Sequence, residues 1–306
     1  MIVIPPIPIT SSVLASSTVA EPSAGEVVWN AATSYAVGDV VIRTTTHRKY
    51  ECQIAGVDST IPENAPTRWL DIGPTNKWAM FDQNRNAQTV ATTSMQVELT
   101  PGKRINSIAI LGVQAAQITI TMTAGGSTVY GPVTVNMNGR ITSSWSEYFF
   151  GDFDYKPTLL LTDLPPHASA TITVLYENAT ATGAEVKSSG IVLGSKIFLG
   201  KTQYNASSGS LNFSRIERDE FGNSILIPRR TIPKTNQTLI ADKNTVNTLR
   251  AARTALNAVP AFWSGLDENY NDDYFEAIAI YGIYKQFEID IAHPSFVQVS
   301  LELEEL

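Results

Sequence analysis

The sequence predicts a mainly β protein: a small aromatic-cored β module, a jelly-roll-like β-sandwich, and a C-terminal α+β domain with one helix. Three observations carry this reading. Alternation at period two recurs along the chain and is cleanest in QITITMT (117–123) and ATITV (170–174), where threonine marks a solvent face and Ile, Val and Met a core face. Turn chemistry such as Pro101-Gly102, Gly125-Gly126 and the run from Asn136 to Gly139 punctuates these stretches at the close spacing of sandwich strands. Apolar residues at helical spacing occur in one convincing place, at Val246, Leu249, Ala252, Leu256 and Val259.

Composition bounds the function. A chain of 306 residues, 43% of them hydrophobic, can bury a real core and is too long for one small domain. The formal net charge is -7 and only 17% of residues are charged, which argues against contacts to a phosphate backbone; no nucleic-acid partner is expected. The single Cys52 excludes a disulfide framework and a cysteine-based zinc site. His47, His167 and His293 lack metal-ligand spacing, so no metal and no cofactor are expected. No apolar stretch has the length of a membrane span, and no membrane insertion is expected.

Taken in order, residues 1–25 read as an extended arm. Met1 to Ile4 is apolar, while Pro5, Pro6 and Pro8 forbid a helix and stiffen the chain. Such an arm is expected to be ordered only against another chain, with a frayed terminus as the alternative. Residues 26–75 form the small module. Gly38-Asp39 suits a tight turn between two short strands, and a unit this small must fill its core with rings. Residues 76–185 carry the sandwich strands. Residues 186–306 open with IVLG (191–194) and contain a hairpin in which 211–215 and 224–227 flank the turn 219–223. The helix follows, capped by Asp242 and ended by Pro260, and further strands over 277–284, 287–291 and 298–303 close the domain.

At Trp29, Tyr35, Gly38, Asp39, Val41, Tyr50, Pro62 and Trp69 the small module resembles the type 3 chitin-binding module. The resemblance implies carbohydrate binding through Trp29, Tyr35, Tyr50 and Trp69. The segment Glu51 to Ala55 departs from the pattern, because further exposed aromatics are usual there, so these rings serve either as a sugar platform or as core and docking surface. The string LGKTQYNASSGSLNFSRIERDEFGN (199–223), the capped helix, PAFWSG (260–265) and the ending IYGIYKQFEIDIAHPSFVQVSLELEEL (280–306) look like the C-terminal part of tail proteins of tailed bacteriophages, and KWAMFDQ (77–83) adds to the resemblance. That resemblance implies a structural subunit of the tail tip, baseplate or fibre-attachment region, made in the bacterial host cytoplasm and located in the virion. The implied partners are other tail proteins and further copies of the chain in a symmetric ring or trimer, with host surface polysaccharide as a possible ligand. The alternative is an adhesin that recognises cell-surface polysaccharide.

No enzymatic activity is expected. Nucleophile-elbow, phosphate-loop, dinucleotide and zinc-protease motifs are all missing from the sequence. The acids Glu217, Asp219, Glu220, Asp267, Glu268, Asp272, Asp273 and Glu276 are available for a glycosidase pair, but sequence alone fixes no separation between them. Asp267, Asn269, Asn271 and Asp273 alternate like the start of a calcium loop, yet Asp272 stands where glycine is needed and Ile278 where a bidentate glutamate belongs. The C-terminal domain holds more aromatic rings than its own core requires. Phe262, Trp263 and Tyr270, following Pro260, are the expected assembly interface.

Overall fold

Strand Ile2–Ile4, the run expected to wait for another chain, lies inside the protein's own largest sheet. The computed structural model describes residues 1–306 apart from 85, 140–143, 151–153, 179–182, 219, 267–273 and 292. Ile2 pairs with Phe198 on one side and Ser264 on the other, and Met1 to Ile4 are at most 2% exposed. The expectation of an arm held by a neighbour is therefore corrected. A short apolar run has its backbone satisfied on both edges and its side chains buried on both faces, which is what an interior strand requires.

The full order of that sheet is Ile197–Phe198, Ile2–Ile4, Ala261–Ser264, Ala279–Asp290, Phe296–Glu305, Thr231–Asp242 and Lys201–Thr202, with Ser207–Asn212 also on Thr231–Asp242. One face packs on helix Val246–Ala255, where Leu249, Ala252 and Leu256 meet Val3, Leu239, Trp263, Leu301 and Leu303. The helix differs from expectation at both ends. Asp242 makes no side-chain cap; a 3-10 turn Lys243–Thr245 intervenes, with Thr245 Oγ1 donating to the Asp242 carbonyl at 2.6 Å. At the other end Leu256 is the C-cap and Ala258 takes a left-handed φ of 56°, so the backbone turns before Pro260 is reached.

The sandwich pairs a five-stranded sheet, in the order Ser127–Asn136, Gln117–Ala124, Thr171–Glu177, Ser94–Leu99 and Leu14–Ser17, with a three-stranded one, Thr158–Leu161, Ser107–Leu111 and Gly190–Gly194. The alternating strands behave as their pattern dictates: Ile118, Ile120, Met122, Ile172 and Val174 are buried while the intervening threonines stay partly exposed. The continuous apolar runs SIAIL and TLLL are buried on both faces. Ile108, Ile110, Leu159 and Leu161 fill the sandwich core, whereas Ala109, Leu111, Leu160 and Val192 face Ile2, Ile4, Phe262 and Tyr281 of the large sheet. The three-stranded sheet is thus a shared middle layer. Sequence boundaries at 25 and 185 do not coincide with structural ones, because residues 2–4 belong to the C-terminal sheet, and 14–17 and 190–194 to the sandwich. Strands expected over 277–284 and 287–291 are one strand, Ala279–Asp290, with an irregularity between Tyr284 and Gln286 and a helical turn Phe275–Ile278 before it.

Candidate functional site

The small module is inserted between Leu14–Ser17 and the rest of the sandwich. Its sheet is Val40–Arg43, Arg48–Cys52 and Trp69–Pro74, beside a short pair of Ser34–Tyr35 with Gly56–Val57. The expected turn is present: Gly38 has φ 92°, and Asp39 Oδ2 accepts the Ala36 N–H at 2.7 Å. Tyr35, Val41, Tyr50, Cys52 and Trp69 form the core, with Tyr35 edge-on to Trp69 at 5.2 Å. Burial pushes the Tyr50 hydroxyl pKa up. The four residues assigned to carbohydrate do not form a platform. Tyr35, Tyr50 and Trp69 are 7%, 5% and 2% exposed, and Trp29 is half-buried with the Arg43 guanidinium 5.1 Å above its ring. The physical reason is size, since a module with so few aliphatic core positions uses its rings for burial and has no flat faces left for a sugar.

What the module does present is aliphatic. The register aligns Val40, Glu51 and Leu70 in one row on the outward face, and Val40 and Leu70 are 44% and 51% exposed. Val37 and Ile54 are also exposed.

The ends of the insertion are tied together by one buried carboxylate. Glu21 accepts hydrogen bonds from Thr75 Oγ1 at 2.8 Å, Trp78 Nε1 at 3.0 Å and His47 Nδ1 at 2.9 Å. His47 stacks on Trp78 at 4.1 Å, and its Nε2 lies 3.1 Å from Ser11 Oγ. Glu26 adds a second tie, accepting the Asn76 N–H at 2.8 Å and lying 3.4 Å from Lys49 Nζ. Donors from the body and the module converge on one acid, so the cluster acts as a clamp.

The expected assembly residues fare differently from one another. Phe262 and Trp263 are fully buried, and Trp263 Nε1 donates to the Gly282 carbonyl at 3.1 Å. They are core, which corrects their assignment as an interface: the turn at Ala258 delivers the chain directly into an interior strand beside Ile2–Ile4. Tyr270 lies outside the described residues. So do Asp219, Asp267, Glu268, Asp272 and Asp273, together with Asn269 and Asn271. Of the other acids, Glu217 pairs with Arg215 at 3.0 Å, and Glu276 accepts from Thr158 Oγ1 at 2.9 Å, bracing the large sheet on the sandwich.

The exposed apolar surface lies elsewhere. Strands Arg215–Arg218 and Ser224–Ile227 form a two-stranded ribbon that prolongs the hairpin of Ser207–Asn212 and Thr231–Asp242 beyond the sheet. Ile216 and Leu226 sit opposite each other at 66% and 71% exposure, Ile225 is on the other face at 51%, and Phe213 and Phe221 are exposed at its base and tip. The sequence held a signal for it. Ile225, Leu226 and Ile227 are consecutive, and such a run asks for cover on both faces. Compared with known proteins, the chain matches no family model and no curated protein.

Proposed function

We propose that the chain is a structural subunit of a bacteriophage tail, at the tip, baseplate or fibre-attachment region, joined to its neighbours through exposed apolar β surfaces. The observation that carries an assembly role is the ribbon. A two-stranded hairpin is marginal by itself in water, and one with apolar residues on both faces is a liability unless something covers it. Its exposed side chains amount to roughly 500 Å² of apolar surface, at the upper end of what a monomer shows. The tail context rests on the resemblance of residues 77–83, 199–223 and 280–306 to tail proteins.

The adhesin reading is the weaker one, because three of the four rings it needs are spent in the module's core. The test is phage carrying Ile216→Asp with Leu226→Asp. The variant subunit is expected to fold, as judged by circular dichroism, yet to be missing from purified tails by mass spectrometry. Normal incorporation would refute the reading, as would absence of the wild-type chain from virions.

A further inference from the structure

Resting on that assembly role, we infer that the ribbon's partner is a second copy of this chain, and that it docks head-to-tail on the outward face of the neighbour's small module.

The first argument is symmetry. On one face the register puts Ile216 with Leu226 and Arg218 with Ser224; on the other it puts Arg215 with Ile227 and Glu217 with Ile225. A two-fold contact between ribbons covers one apolar face of each and leaves the other in water. A ribbon that docks on a surface unlike itself also covers one face, but repetition of that contact generates a ring where the rotation closes instead of stopping at a pair.

The second argument is that the chain carries a matching surface. Val40, Glu51 and Leu70 form a row of aliphatic, carboxylate and aliphatic across three strands, in which Val40 and Leu70 are exposed and the half-buried Glu51 between them accepts from Gln53 Nε2 at 3.1 Å. The ribbon face offers the complement, Ile216 and Leu226 beside the exposed guanidinium of Arg218. Docked together, the aliphatic side chains cover one another while Arg218 meets Glu51, a charge pairing that fixes orientation more than affinity.

Area and reach are consistent with this. A stable contact needs about 800 Å² per partner, more than the roughly 500 Å² of apolar surface on all faces of the ribbon together, so the arginine stems and polar side chains of the docked face make up much of it. From Thr231 to the tip at Gly222 the ribbon spans roughly 30 Å at strand rise, enough to cross from one subunit onto the next.

The experiment mixes full-length Leu226→Cys protein with full-length Val40→Cys protein under mild oxidation, with the buried native Cys52 as the common background and the wild type as its control. Sedimentation of the wild type is measured alongside. The expected results are a disulfide joining the two different variants through their introduced thiols, concentration-dependent oligomers of wild type, and at least a tenfold weaker association for Arg218→Glu, restored by adding Glu51→Arg. Cross-links only between two Leu226→Cys chains would overturn the proposal in favour of two-fold ribbon pairing. A monomer at every concentration with no cross-link would overturn it as well. If ribbon variants were then still lost from tails, the partner would be another tail protein and the assembly role would stand.

Discussion

Removing the first strand should cost the protein most of its stability. Ile2 and Ile4 fill the layer between the large sheet and the sandwich, while Met1 and Val3 lie on the helix side. Ile2→Ala or Ile4→Ala should each destabilise by about 2–5 kcal/mol, the range for deleting a fully buried aliphatic branch. Deleting Met1 to Ile4 withdraws four buried side chains at ~1.5–3 kcal/mol each, roughly 6–12 kcal/mol gross and an upper bound. That is comparable with the whole stability of a typical domain, about 5–15 kcal/mol. It also unpairs one edge of Ala261–Ser264. The assay is urea unfolding followed by circular dichroism and tryptophan emission, because Val3 is the cross-strand partner of Trp263 and its loss should shift that emission to the red. Changes under ~0.5 kcal/mol, the level of an ordinary surface substitution, would refute the placement of this strand.

Three further outcomes follow from the same geometry. Trp263→Ala should unfold the C-terminal sheet at a cost of about 3–5 kcal/mol instead of selectively weakening assembly; a folded variant with only an assembly defect in denaturation and sedimentation runs would contradict its burial. Glu21→Ala leaves Thr75, Trp78 and His47 without their acceptor, so trypsin should cut faster after Lys77 in the variant, while Ser11 of the unaltered protein stays inert to a fluorophosphonate probe; a Ser11 adduct would show a nucleophile where a clamp is described. Partial burial works against the Glu63 charge, but hydrogen bonds from its own backbone, from Arg43 Nε at 3.2 Å and from Thr46 Oγ1 at 3.0 Å hold its carboxyl below the usual range. A lowered folded value contributes stability above the unfolded pKa of ~4.3 that is lost as pH falls through the folded one, so acid unfolding below about pH 4 should have a shallower slope in Glu63→Gln; identical slopes would contradict this.

Local chemistry made much of the fold legible. Threonine alternation marked the faces of the sandwich strands, Gly38-Asp39 marked the module's turn, and the helical stripe at Leu249, Ala252 and Leu256 marked the face that is buried. Features that depend on distant partners were not legible. Met1 to Ile4 is too short to show a period, and its neighbours in the sheet come from 197–198 and 261–264, so a buried strand and a loose arm read alike. AFWS (261–264) is a continuous apolar run of the kind buried on both faces, but the left-handed turn at Ala258 that feeds it into the sheet has no glycine to announce it. The surplus of rings in the C-terminal domain was sound as a count and wrong as a location: Phe262 and Trp263 are enclosed while Phe221 and Tyr274 are exposed.

The interior position of Ile2–Ile4 has a consequence for synthesis. Its partner Ala261–Ser264 leaves the ribosome roughly 260 residues later, about 15–50 s at ordinary translation rates. Until then the large sheet cannot close, and the middle layer of the sandwich lacks Phe262 and Tyr281 against its second face. Pairing across so long a separation is slow in folding terms. It also makes the finished C-terminal half a condition for burying Ile2–Ile4, so a prematurely terminated chain keeps this apolar strand exposed to chaperones and proteases. Chains that reach the native state are thereby restricted to those translated through both halves of the sheet.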